Sequence, residues 1–389
     1  MINNNISAAV LLAFFIGMAL SLAHIAKQAL STQNSRNSSV SSVLSETNSA
    51  TGFAVAESPR EFEFPADHFP HPNFQSEWWY FTGNLVGSNK QTYGFDLTIF
   101  RYGLSTDPDT SLSPFQNSQI FLAHFAIADI NRQQYLSDEK ISREVVGLTG
   151  VSVAPLTIKV DNWSITQLDA QKEQWHIKAD SGDFAMDLEL NALRPIVLQG
   201  QQGLSRKSET PGNASYYYSI PKLAVDGKIR LSNQTIPIAG TAWFDREWST
   251  SVLESGQIGW DWFGLHIAED MELMYYQIRQ ANGKPASQNH GVLILDNGAR
   301  EIKLGSEVQL KPLAYWTSKK TRARYPIKWQ LTSAEHALDL TISAKFNDQQ
   351  WDGTFIYWEG AVTTTGVFQN KPINGEGFLE MTGYDTSSR

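Results

Sequence analysis

Three acidic side chains stand inside runs of aromatic residues, and they are the first candidates for chemistry. Glu77 lies in Ser76-Glu77-Trp78-Trp79-Tyr80-Phe81, while Asp245 and Glu247 lie in Trp243-Phe244-Asp245-Arg246-Glu247-Trp248. A carboxylate taken out of water without a partner is costly, so such a group either finds a cation or keeps its proton. A carboxyl that keeps its proton is a general acid at neutral pH. In an extended strand alternate residues share a face. Glu77 then points with Trp79 and Phe81, away from Trp78 and Tyr80. Asp245 and Glu247 point with Trp243, away from Phe244, Arg246 and Trp248. Glu77 is thus a candidate acid, with an ion pair to an arginine such as Arg101 as the alternative. Asp245 and Glu247 are a candidate acid/base pair, with arginine-mediated ties between two modules as the alternative.

Further rings and acids follow. Gly259-Trp260-Asp261-Trp262-Phe263 and Tyr275-Tyr276 either wall an apolar cavity or fill a barrel core. Trp358-Glu359-Gly360 sets one more acid beside a ring, and His124 sits in the apolar Ala123-His124-Phe125-Ala126, as a contact residue or a satisfied core histidine. Trp79, Trp248, Trp260, Asp261, Tyr276, Trp358, Glu359 and His124 form the candidate ligand-contacting set. The 8 histidines show no ligand spacing, so no metal site is expected. There is no Gly-x-Ser-x-Gly and no phosphate-cradling or dinucleotide glycine loop, so no cofactor is expected. The absence of cysteine excludes disulfides and a thiolate nucleophile. A net charge of −9 without a long basic run argues against nucleic acid as a partner.

The elements that must position these residues read almost wholly as β. The chain has 389 residues, enough for two domains, and 12% of them are aromatic, which suits strands. Thr92 to Arg101 alternates, with Tyr93, Phe95, Leu97 and Ile99 on one face. Ile120 to Ile130, Leu156 to Ile165, Phe184 to Leu190, Tyr216 to Ile220, Leu273 to Ile278, Val292 to Leu295 and Leu338 to Phe346 are further strand candidates. Asp226-Gly227, Asn282-Gly283 and Asn297-Gly298 read as tight turns. An internal repeat is visible: Tyr80-Phe81-Thr82-Gly83-Asn84-Leu85 resembles Trp262-Phe263-Gly264-Leu265-His266-Ile267. Tyr217-Tyr218-Ser219 echoes Tyr357-Trp358-Glu359, and Gly240 to Asp245 echoes Gly377 to Gly383. The fold expected is all-β, two tandem antiparallel barrels spanning residues 59–250 and 251–389.

Ahead of them, Ile6 to Ala23 is an apolar run, either a cleaved signal or a membrane anchor, within a targeting segment of residues 1–27. Residues 28–58, rich in Ser, Asn and Thr, read as a flexible linker. Either reading of the apolar run places the barrels in the cell envelope, most simply a periplasm.

The quoted blocks resemble the AttH/CrtC family of tandem lipocalin-like domains. The matching pieces are His71-Pro72 with Ser76 to Phe81, Ala123-His124-Phe125, Arg194-Pro195 with Leu198-Gln199-Gly200, Ser215 to Ser219, Ala242 to Trp248, Gly259 to Leu265 and Trp358-Glu359-Gly360. They span residues 68 to about 385. The resemblance implies two calycin-type barrels. It also implies kinship with carotenoid 1,2-hydratases, plant-defence-compound hydratases and predicted secreted hydrolases. A hydratase of this kind protonates an isolated C=C bond with a carboxylic acid and lets water capture the cation, which aromatic faces stabilise. The matching acid is Asp245, with Trp248, Trp260 and Tyr276 around it. The chain departs from the hydratase branch at Arg246, where that branch tends to carry histidine, and at Gln277, where it carries an acid. The function expected is binding of an apolar, isoprenoid- or lipid-like small molecule, with hydration or hydrolysis by a carboxylic acid. The alternative is a non-catalytic lipid carrier or accessory protein of a membrane transporter.

Overall fold

The computed structural model describes residues 52–104, 119–250, 253–283 and 286–384. The expected targeting segment, and the expected linker as far as residue 51, lie outside them. Residues 54–58, read from sequence as linker, are docked instead. The Ala54 amide donates to the Asn73 carbonyl at 2.8 Å, Ala56 is fully buried, and the Tyr216 hydroxyl donates to the Ser58 carbonyl at 3.0 Å. Small residues made this stretch look loose. Ala56 alone joins the core of the first sheet, while its neighbours stay exposed.

Among the described residues every strand belongs to one of two antiparallel sheets, and the only helical elements are two single-turn 3₁₀ helices, Ala66–His68 and Asp296–Gly298. The first sheet runs, in spatial order, Gln134–Arg143, Gln119–Asp129, Thr92–Gly103, Ser76–Gly87, Gln234–Ser249, Ala214–Leu231, Phe184–Ala192, Gln174–Asp180, Trp163–Asp169, Leu156–Val160 and Thr149–Val153. The second runs Arg300–Leu304, His290–Leu295, Met271–Gln280, Gln257–Ala268, Lys371–Met381, Ile356–Phe368, Leu338–Ala344, Arg324–Ser333 and Gln309–Thr317. The two curl into a barrel and a half-barrel, each around its own apolar core.

Alternation decides what each strand gives to which core. Tyr93, Phe95, Leu97 and Ile99 are all inside the first barrel, at 1% exposure or less. Trp79, Phe81, Phe244, Trp175 and Trp248 fill the same interior. Each buried indole removes roughly 150–250 Å² from water, about 4–6 kcal/mol gross at ~25 cal/mol/Å². The end of the barrel is stoppered by Phe62, whose ring packs on Tyr216, Tyr218 and Trp248 with centroids 6.2, 6.1 and 5.6 Å apart. Gly203 permits this: a Cβ there would stand 2.1 Å from the Phe62 ring.

The opposite faces of the central strands carry Tyr80, Trp243 and Tyr217 from the first sheet and Trp262, Met274, Tyr276 and Phe378 from the second. These form a third apolar cluster, between the sheets. Register makes the repeat explicit. Tyr80 faces Asp245 across the first sheet and Asp245 faces Ser219. Trp262 faces Glu380 across the second sheet and Glu380 faces Glu359. The row Tyr80–Asp245–Ser219 thus corresponds to Trp262–Glu380–Glu359. The stretch Gly240 to Asp245 matches Gly375 to Glu380, two residues earlier than the sequence echo suggested.

Two local readings change. Asp226-Gly227 is not a turn but lies inside Ala214–Leu231, where a Cβ on Gly227 would stand 2.3 Å from the Asp187 carbonyl oxygen. Glycine serves there because the neighbouring backbone comes close. Leu156 to Ile165 is a hairpin rather than one strand, turning at Asp161, whose φ is 59°.

Candidate active site between the two sheets

Asp245 is 3% exposed and accepts three hydrogen bonds, from the Ser219 hydroxyl at 2.5 Å, the Tyr217 hydroxyl at 2.6 Å and the Trp243 indole at 2.7 Å. Burial pushes its carboxyl up to about 7, and these donors pull the other way. Glu247, two residues on, shares its face but meets a cation. It accepts from the Ser215 hydroxyl and pairs with the Lys207 ammonium at 2.8 Å. Lys207 also lies 4.8 Å above the Tyr276 ring, whose hydroxyl meets that of Ser205 at 2.9 Å.

The second sheet brings Glu359 and Glu380, side by side on adjacent strands. The Tyr80 hydroxyl donates to Glu359 at 2.5 Å across the gap between the sheets. The Trp260 indole donates to Glu380 at 2.8 Å. Burial raises both acids well above the carboxylate range, and for Glu380 the field of Glu359 raises it further. Asp96 joins them from the first sheet. It is 1% exposed, burial pushes it up to about 7, and Tyr135 donates to its Oδ1 at 3.3 Å. Its Oδ2 has no partner among the described residues.

The contacts across the gap are reciprocal. Tyr80 of the first row reaches Glu359 of the second, and the Trp262 indole of the second donates at 3.1 Å to Tyr217, which holds Asp245. The Tyr80 and Trp262 rings meet edge to face at 5.4 Å, and Trp243 and Trp262 at 6.3 Å. Trp78 and Trp260, in matched places two residues before them, are half-buried at the margin. Rings, neutral acids and few cations suit proton transfer to an apolar molecule. Among the described residues no three His, Asp or Glu are grouped to hold a metal ion. Two surface depressions, of about 420 and 760 Å³, open elsewhere, and neither is lined by Asp245, Glu359 or Glu380. Neither depression reaches the interface, where the apolar side chains of the two sheets pack into one cluster with Trp78 and Trp260 at its margin.

The other sequence candidates fall outside this gap. Glu77 is fully buried on the barrel side, clamped between Arg101 and Arg246 and accepting from the His71 amide at 3.0 Å. Although burial opposes it, Arg246, His71 and Arg101 hold Glu77 well below the carboxylate range. Glu77 has no proton to give, which corrects its reading as an acid. Trp79 and Trp248 are barrel core rather than ligand walls. Arg246 sits 4.0 Å over Trp79, and His71 stacks on Trp248 at 3.8 Å. Trp358 fills the core of the second sheet and donates to the Asn347 carbonyl at 2.8 Å. Asp261 faces that same interior, where it meets Arg279 at 3.2 Å, Gln277 at 2.8 Å and Tyr384 at 2.9 Å. His124 bonds Tyr357 at 2.7 Å and stacks on Trp351 at 4.3 Å, and burial lowers its basicity. It fastens the two sheets together beside the acids rather than among them.

The interface thus gathers Asp245, Glu247, Trp260, Tyr276 and Glu359 of the predicted set. It adds Trp262, read from sequence as either a cavity wall or barrel core, and Tyr80, Asp96, Lys207, Tyr217, Trp243 and Glu380, to which sequence reading gave no role at a site. The repeat was the signal available for Glu380, since it occupies the place of Asp245.

The family model described as AttH-like matches residues 55–384. Kievitone hydratase of Fusarium solani subsp. phaseoli is 23% identical over 319 residues, covering 79% of this chain and 83% of that protein. Among solved structures, an AttH protein from Nitrosomonas europaea is 31% identical, with a TM-score of 0.76 over 86% of this chain and 100% of its own. Kievitone hydratase from Nectria haematococca shares the fold, with a TM-score of 0.65 and 16% identity over 86% and 98% of the two chains.

Proposed function

We propose, from the premise that this chain belongs to the AttH-like family, that the gap between its sheets is a hydratase-like site for an apolar, isoprenoid-like alkene. The observation that carries the reading is the charge state of the gap. Asp245, Glu359 and Glu380 are set among indoles and phenols without an arginine, whereas Glu77 on the barrel side is locked to two. A relative whose name is a hydratase supports the reaction class.

In such a reaction a carboxyl group gives its proton to one alkene carbon, and the π electrons form the new C–H bond. The cation left on the other carbon faces Trp243, Trp262 and Tyr80, whose ring faces stabilise positive charge. Water bonds to that carbon, and one of its protons passes to a carboxylate of the site. Asp245, poised about 7, is suited to exchange a proton at neutral pH. The apolar run Ile6 to Ala23 leads us to place this chemistry in the cell envelope.

The test is incubation with a panel of prenylated phenols and linear isoprenoid alkenes in H₂¹⁸O, read by mass spectrometry. The expected product is heavier by one labelled water, and Asp245→Asn should slow its formation by at least ~100-fold with near-UV circular dichroism unchanged. An unaltered rate in that variant would remove Asp245 from the mechanism. A tightly bound but chemically unchanged lipid, with no turnover on the panel, would point to the carrier alternative.

A further inference from the structure

Resting on that reading, we propose that the matched carboxyl groups divide the reaction: Glu380 gives its proton to the alkene, and Asp245 takes one from the attacking water. The two occupy equivalent places in their sheets, yet their surroundings differ in kind. Asp245 is built to accept. The Tyr217 hydroxyl receives the Trp262 indole proton at 3.1 Å, and the Ser219 hydroxyl receives the Gln199 amide at 2.9 Å. Each hydroxyl has therefore turned its own proton toward Asp245, where the Trp243 indole adds a third. Three fixed donors favour the anion.

Glu380 accepts only the Trp260 indole among the hydrogen bonds seen, and no lysine or arginine pairs with it among the described residues. Glu359 lies directly across the strand from it. Two adjacent carboxyl groups in a buried site cannot both ionise, so a proton stays on the pair. Glu380 is also half-buried as a residue where Asp245 and Glu359 are 3% and 1% exposed, so it stands nearer the margin of the interface than either. On the same side Asp96 holds Oδ2 buried and unpartnered, an acceptor left for a polar group of the bound molecule or its water. The directions of the shifts agree: Glu380 is raised well above its ordinary range, and Asp245 only to about 7.

The balance closes. The Glu380 O–H bond breaks as the C–H bond forms, water oxygen bonds to the cation, and the displaced water proton ends on Asp245. Solvent then returns a proton to Glu380 and removes one from Asp245, leaving one water added to one alkene.

The experiment uses the same alkene panel in D₂O enriched in ¹⁸O, with the full chain. The wild type should place both carbon-bound deuterium and ¹⁸O in the product. Asp245→Asn should still exchange deuterium into recovered alkene while ¹⁸O uptake falls at least ~100-fold. Glu380→Gln should lose both labels, and Glu380→Asp should recover part of both, which a merely structural role would not predict. Deuterium exchange persisting in Glu380→Gln while ¹⁸O uptake is lost would reverse the roles and overturn the proposal. Wild-type protein inactive on the whole panel would instead sink the hydratase reading itself, and this division with it.

Discussion

Glu77 and Asp245 show how little residue type decides alone. Both are buried acids in tryptophan-rich strands, but one strand face meets two guanidinium groups and the other meets phenols and indoles. Their effects on stability therefore run in opposite directions with pH. The pKa of Glu77 is lowered by folding, so its contribution is complete above its ordinary value of 4.5 and is lost as pH falls through the folded value. Removing the carboxylate as Glu77→Gln leaves Arg246 and Arg101 buried without their partner. It should cost about 3–5 kcal/mol by urea denaturation at pH 7. The pKa of Asp245 is raised by folding, from 3.8 to about 7, so the stability linked to it is present below 3.8 and lost as pH climbs to about 7. Asp245→Asn should thus gain on the wild type between pH 4 and pH 8, with a ceiling of roughly 4 kcal/mol at ~1.4 kcal/mol per unit. Parallel melts at both pH values check it, and a gap that narrows with rising pH would contradict a carboxyl that burial pushes up to about 7. Asp245 was legible in the sequence because it stands between aromatics. Asp96 and Glu380 were not, because alternation puts each on what looks like a solvent face until the opposite sheet covers it.

Strands carry the next level of information. The echoes Tyr80 with Trp262 and Tyr217 to Ser219 with Tyr357 to Glu359 were readable in sequence and hold in register. What no local pattern encodes is which residues of one sheet touch the other. Glu139 of Gln134–Arg143 accepts the Thr354 amide at 2.9 Å and its hydroxyl at 2.7 Å, while its neighbour His124 holds Tyr357. These hydrogen bonds, with His124 beside it, hold the Glu139 carboxyl at about 2. Glu139→Ala should loosen the short Gln350–Asp352 strand at a cost of about 1–2 kcal/mol. Hydrogen exchange should show faster amides there and unchanged protection in His290–Leu295, four strands away from Ile356–Phe368 in the second sheet. Uniform protection across both would mean the clamp holds nothing.

At the scale of the whole molecule, the two sheets share an apolar cluster to which both contribute large rings. Exposing Tyr80, Trp243, Trp262 and Tyr276 by separating them would return several hundred Å² of ring surface to water. Calorimetry should accordingly show one cooperative transition for the pair rather than two, and two resolved transitions would show that the sheets melt independently. The barrel interior, by contrast, is solid with indoles and stoppered by Phe62. It serves as a rigid mount rather than as the vessel its architecture first suggests.

The matched rows have an implication for what the gap can recognise. By register, Tyr80 holds the place in the first sheet that Trp262 holds in the second, and Asp245 the place of Glu380. A long guest with alike termini would find rings and an acid whichever way round it slid in. Only the unlike wiring of the two acids would tell its head from its tail.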